Sequence, residues 1–372
     1  MPANSSTRSA RHRVFWAITL FVLVSDGLFF GLNVHLSGKA LEDRFDAWAE
    51  ERQTTATLLV DQTIGAMLLM AEMLAQDKEI HRLARSGRAA VVAEGGGPGG
   101  ALAAEHRRQL LERLGPAWRV ATERYGVRQL HFHIGPGDLS FLRVHKPDRF
   151  GDRMDELRPL VVDTITQGRP IGGFELGRIY SGLRGIVPIF DQPGVPQGEV
   201  IGAVEVGTSV DPVLARISEA AGGHFAVLLD ESRVDMAVFR DQRASAVMDM
   251  TNCPCVLEAT TDRRIIPLVD ALSADFFANP VMGERRLGRI KTTAENGATR
   301  TFEIAAWPLM DHKGATQGGQ PPGWVVTWLD ATPIMADYRD GIVMAAVFAI
   351  LAFLGLEIVL FFAVRYAFRA LE

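Results

Sequence analysis

The chain has 372 residues, 48% of them hydrophobic, and a formal net charge of −5 at pH 7. That length suits two domains, or one domain with membrane segments. The mildly acidic balance argues against nucleic acid as a partner, and no heptad array or solenoid repeat is present.

Residues 1–13 form a short basic tail carrying Arg8, Arg11 and Arg13. Residues 14–36 are mostly apolar and long enough to span a hydrocarbon core of about 30 Å. Residues 341–364 are a second stretch of this kind, followed by Arg365 and Arg369 in a short tail, 365–372. The first stretch exceeds the apolar region of a signal peptide and lacks a clean cleavage site, so an uncleaved anchor is expected. The flanking arginines place both ends in the cytoplasm and the residues between the spans outside the inner membrane of a bacterium. Asp26 and Glu357 lie inside the two apolar stretches, and carboxylates there are expected to face protein rather than lipid.

Between the spans the elements follow in order. Residues 37–85 read as one long amphipathic helix, with Leu41, Phe45, Trp48, Leu58, Leu59, Met67 and Met70 among its apolar positions. Such a helix can pack on its own domain and on a second copy, so a homodimer is expected. A glycine-rich loop at 93–100 leads to a second helix over 101–125, broken near Gly115 and Pro116. Strands are predicted over 127–134, 139–145, 173–178, 183–190 and 199–208, with a helix over 157–166. These elements complete a module ending at residue 210. A second α+β module follows over 211–340: helix 211–221, strand 224–230, a weakly patterned stretch over 233–264, and strands 286–292, 301–309 and 324–329. The Asn296-Gly297 pair marks a hairpin turn.

The chemistry concentrates in residues 140–184. Arg143 and His145 alternate on an apolar run, and Arg178 and Arg184 follow beyond a glycine-rich turn. Cations two residues apart on strands share a face, and converging arginines hold planar anions by bidentate contacts. The competing reading pairs them internally with Asp148, Asp152, Asp155 and Glu175. His131 and His133 share a strand face and with His145 offer metal-ligand atoms, but H-x-H spacing alone is weak evidence, so neither a metal nor any other cofactor is expected. Cys253 and Cys255 flank Pro254 and read as a local disulfide or two loop thiols. No nucleophile–base pair, G-x-S-x-G elbow or phosphate-binding loop is visible, and the chain does not read as an enzyme.

Three blocks carry a family resemblance: FLRVHKPDRFGD at 141–152, GFELGR at 173–178 and GLRGIVPIF at 182–190. Together with the long first helix, the tandem modules and the return span, they closely resemble the double Cache sensors of two-component kinases, chemoreceptors and cyclic-di-nucleotide enzymes. The resemblance implies an α+β fold of tandem PAS-like modules on a long N-terminal helix, flanked by two transmembrane helices. The first, membrane-distal module (37–210) would bind ligand and the second, membrane-proximal module (211–340) would relay. Matched position by position, it implies ligand contacts from Arg143, His145, Phe150, Asp152, Glu175, Arg178 and Arg184. Arg153 departs from the pattern, standing where relatives often carry a second acid. The expected function is a two-pass inner-membrane receptor whose periplasmic domain binds a small, carboxylate-like anion. With eight residues after Val364, a separate cytoplasmic signalling partner or a shortened product is expected. The alternative is a ligand-free membrane scaffold or co-receptor built on a degenerate sensor domain.

Overall fold

The computed structural model describes residues 4–135, 137–155, 158–176, 181–194, 198–232, 234, 253–281, 283–293, 297–312 and 320–369. The chain divides into two units, one of residues 1–48, 293–301 and 330–372, the other of residues 49–292 and 302–329.

The first unit holds the start of helix α1 (Asn4–Gln76) and helix α7 (Thr332–Arg369), which follows the last strand. Both helices are long and apolar enough to cross a membrane, with mean hydropathies of 1.9 and 2.8 over their most apolar windows. Phe21, Leu28 and Phe29 on α1 and Val359 and Phe362 on α7 are exposed. A helix of a water-soluble protein turns such residues onto a core. Thr19 Oγ1 donates to the Glu357 carboxylate at 2.9 Å.

The long helix differs from its sequence reading at both ends. It begins upstream of residue 37 and stops at Gln76, where Asp77 opens helix α2 (Lys78–Ala93). The Asp77 side chain accepts from the backbone N–H of Glu79 and Ile80 at 3.0 and 2.9 Å. This is an N-cap, which starts a new helix without any proline or glycine to announce it. Helix α3 (Ala101–Tyr125) passes through Pro116 unbroken. Pro116 is exposed, so water can satisfy the carbonyl one turn earlier that loses its N–H partner.

Two five-stranded antiparallel sheets follow. The first contains β1 (Gln129–Ile134), β2 (Leu139–Arg143), β3 (Ile171–Glu175), β4 (Gly182–Phe190) and β5 (Val200–Ser209), in the order β2-β1-β5-β4-β3. Helix α4 (Pro159–Gln167) joins β2 to β3, and helix α5 (Val210–Ala221) leads out. The second contains β6 (His224–Asp230), β7 (Cys255–Thr260), β8 (Arg286–Thr293), β9 (Thr299–Pro308) and β10 (Gly323–Asp330), in the order β7-β6-β10-β9-β8. Helix α6 (Ile265–Asp270) and a 3₁₀ turn (Ala274–Phe277) lie between β7 and β8. Counted within each module, the two orders are identical, so the modules repeat one topology. Strand β7 falls in the weakly patterned stretch and was not expected. Cys253 and Cys255, at its start, are joined by a disulfide. Asn296 of the expected hairpin lies outside the described residues.

The first sheet has two unlike faces. Leu130, Phe132 and Ile134 of β1 alternate with Gln129, His131 and His133. The apolar set joins Val187, Val204 and Val206 in one core with Met67 and Ala71 of α1, Leu83 of α2 and Leu110 of α3. The helical layer sits tight on this face. A side chain at Gly185 would place its Cβ 2.3 Å from the Leu68 backbone nitrogen, and one at Gly172 would lie 2.4 Å from Ile64 Cγ2. Gly172 therefore lies within a strand as a packing position, not in a turn. The opposite face carries the polar set.

Candidate functional site

Register fixes which polar residues meet, because directly paired residues of antiparallel strands project to the same face. One row across the sheet is Arg143, His131, Glu205, Ile186 and Ile171, and the next is Gln129, Gly207, Arg184 and Gly173. Below Ile186 and Ile171, α4 closes the face with Leu160 and Val161, which pack with Ala203. The polar rows are thus roofed at one end by apolar packing.

A buried charge network fills the centre. Glu205 is fully buried. Its Oε1 accepts from Arg184 Nη1 at 2.7 Å and from Arg158 Nη2. Arg158 Nε also donates to Glu175 Oε2 at 2.6 Å, and Glu175 Oε1 accepts from the Leu160 N–H at 3.1 Å, at the first turn of α4. Arg184 donates to Gln129 Oε1 at 2.8 Å. The second Glu205 oxygen, Oε2, lies 2.9 Å from His133 Nε2, while His133 Nδ1 lies 2.6 Å from Asp138 Oδ1. Both carboxylates accept, so the His133 ring donates from both nitrogens and is an imidazolium.

Electrostatics follow from the geometry. Burial alone would push Glu205 up, but Arg158 and Arg184 hold it well below the usual carboxylate range. Burial alone would lower His133, yet Asp138 and Glu205 raise it. Burial and the neighbouring His133 charge drive His131 well below the ordinary imidazole value. His131 Nε2 lies 2.8 Å from Ser140 Oγ, and the His131 and His133 rings approach to 3.8 Å between centroids.

The predicted residues that are described divide among four environments. Glu175 and Arg184 lie in the buried network, paired with Arg158 and Glu205. Arg143 sits at its edge, held bidentately by Asp152 at 2.7 and 2.8 Å. Asp152 is 53% exposed while Arg143 is 12% exposed, so this pair opens to solvent on its carboxylate side. Burial would raise Asp152, and Arg143 holds it below the ordinary value. His145 lies beside the cluster, its ring 6.4 Å from that of His131, with Nδ1 3.1 Å from the Leu130 carbonyl. Burial pulls its pKa down to about 4. Phe150 does not join them: it turns towards the helical layer, where the Arg107 guanidinium lies 3.9 Å over its ring. Arg178 lies outside the described residues.

Four network members were not among the expected ligand contacts. Arg158 stands just before α4, Glu205 is one acid in an apolar strand, Asp138 sits in a turn, and His133 was weighed only as a metal ligand. Glu205 had a readable signal, since a lone acid within VIGAVEVGTS must be paired if the strand is central. Nothing in the spacing of Arg158 announces its partners. The internal pairing weighed from sequence is present, although the acid facing Arg184 most closely is Glu205, not a residue of the 140–184 stretch.

Residues 82–252 match a family model described as the double sensory domain of two-component sensor kinases, dCache_3. No curated protein matches the sequence. Among solved structures, the chain is similar to the sensor domain of the histidine kinase DctB of Vibrio cholerae (10% identity, covering 77% of this chain and 98% of that one, TM-score 0.41). It is also similar to the periplasmic domain of LuxQ of Vibrio cholerae (12% identity, 76% and 99%, TM-score 0.38) and to that of RsbU of Chlamydia trachomatis (10% identity, 78% and 95%, TM-score 0.39).

Proposed function

From the premise that this chain carries a double Cache sensory domain, we propose that it is a membrane receptor whose first module takes a small carboxylate-bearing ligand at Arg143. The observation that carries the reading is the Arg143–Asp152 pair. A nearly buried guanidinium is held in fork geometry by a half-exposed carboxylate. A ligand carboxylate has the same shape and charge as Asp152 and can take its place. Arg158 and Arg184 are committed to Glu205 and Glu175 and hold the floor of the site.

Relay runs through contacts of α4. Asp163 on α4 meets His312, in the segment after β9, at 2.6 Å, and Phe174 of β3 forms an isolated bridge with Asp311. A ligand that shifts α4 or β3 would bias the second module, a change of population between two packings. The two long apolar helices are read as membrane spans, with the modules between them in the periplasm. A homodimer completes this reading.

The test is a thermal-shift screen of the full chain in detergent against small mono- and dicarboxylates. At least one should raise the melting temperature, and Arg143→Gln should abolish that rise. An unchanged rise in Arg143→Gln would sink the pocket assignment. The buried network favours a second reading, in which three carboxylates matched by Arg158, Arg184 and His133 form a structural core and the domain is a ligand-free scaffold. A screen with no stabilising compound would favour it.

A further inference from the structure

We propose that His131, His133 and Glu205 form a binding site for one divalent transition-metal ion of the zinc class. All three side chains are fully buried, and one donor atom from each lies within 4.8 Å of the others. Tetrahedral zinc with bonds of about 2.1 Å places its donors about 3.4 Å apart. His131 Nδ1 stands 3.5 Å from Glu205 Oε2, and His133 Nε2 stands 2.9 Å from the same oxygen.

A second observation, independent of this clustering, points to a ligand. His131 Nδ1 is buried and makes no hydrogen bond, and its 3.5 Å separation from Glu205 Oε2 is longer than an N–H···O bond. An unsatisfied nitrogen aimed at a carboxylate inside a protein is costly, and a cation between the two removes the cost. The outer atoms are arranged as metal sites arrange them. The far nitrogen of His133 is held by Asp138 and that of His131 by Ser140, and such partners fix ring orientation and raise ligand basicity. The arginines occupy Glu205 Oε1, leaving Oε2 to the ion.

Charge fits as well. Asp138, Glu175 and Glu205 carry three negative charges against the two of Arg158 and Arg184, and His133 supplies the third positive charge as an imidazolium. The ion takes the position of the Nε2 proton, which leaves to solvent. Three protein donors leave a coordination position for water or a small anion. This site stands on different residues from the Arg143–Asp152 pair, and either can fail without the other.

The experiment uses the full chain, purified in detergent without a polyhistidine tag, stripped with chelator and titrated with Co²⁺. One equivalent should bind, with the intense visible bands of a low-coordinate nitrogen–oxygen site. His131→Asn should weaken binding at least tenfold, and Asp138→Asn about tenfold. His145→Asn, beside the cluster but outside the donor set, should titrate like the wild type. Metal-free melting temperatures establish that each variant is folded. X-ray absorption on the wild-type Co²⁺ protein supplies a readout that needs no variant: two imidazoles and oxygen are expected. Absence of saturable binding, His131→Asn titrating like the wild type, or a shell lacking imidazole would each overturn the proposal.

Discussion

At the scale of single residues, the first module is organised by who neutralises whom. Arg158 contacts both Glu175 and Glu205, and all three side chains are buried. Removing it leaves Glu175 and Glu205 to share Arg184 alone, and breaking a buried pair in this way costs about 3–5 kcal/mol. Arg158→Ala should lower stability by that amount in denaturant titration, whereas Arg82→Ala, at an exposed position of α2, should leave the midpoint unchanged. His145 makes a pH prediction. Its folded pKa of about 4 lies below the ordinary value of 6.5. Between those values the unfolded chain binds more protons, so stability falls as pH drops from about 6.5 to 4 and is unaffected by this group above 6.5. His145→Gln should flatten that part of the stability–pH curve, read as melting temperatures at pH 7 and pH 5. An unchanged slope would show that burial of His145 does not govern the acid response.

At the scale of elements, close approach decides more than propensity. Helix α1 lies against β4 where Gly185 has no side chain, and the nearest obstacle to a Cβ is backbone, which cannot rotate away. Gly185→Ala should therefore cost about 2–3 kcal/mol through displacement of α1. Gly65, in α1 itself, has nothing within 4 Å of its would-be Cβ. Gly65→Ala should stabilise by about 0.5–1 kcal/mol, since alanine gives up less conformational freedom in a helix. Opposite signs for these two glycines, measured in one denaturation series, test the packing directly. The elements themselves were largely legible. The positions of β1, β4 and β5 were legible to within a few residues, and the amphipathic repeat of α1 marks its middle but neither of its ends. What escaped was the Asp77 cap, which interrupts a continuous apolar repeat with one side-chain hydrogen-bonding choice, and β7, whose short run gives no clear period.

At the scale of the whole molecule, the proposed orientation places the modules outside the inner membrane. Both native cysteines are joined in a disulfide, so an introduced thiol reports without background. Gly97→Cys, in the loop between α2 and α3, should react with a membrane-impermeant maleimide in cells with a permeabilised outer membrane. Arg13→Cys, before the first apolar stretch, should react only after the inner membrane is opened. Labelling of both positions in intact spheroplasts would contradict the orientation.

The kind of molecule is legible along the chain: tandem α+β modules between two apolar helices, and a polar strand face near Arg143 and Arg184. Those features are local, since periodicity, turn residues and apolar length are written within a few residues of one another. The pairing of Arg158 with Glu175 and Glu205, the turn of Phe150 towards Arg107, and the meeting of His131 and His133 with Glu205 were decided only by the tertiary structure. The two meetings at Glu205 depend on strand order, which places β5 between β1 and β4 although 65 residues of chain separate β1 from β5. Which charges cancel inside the module and which reach solvent is a property of that register, and no spacing along the chain encodes it.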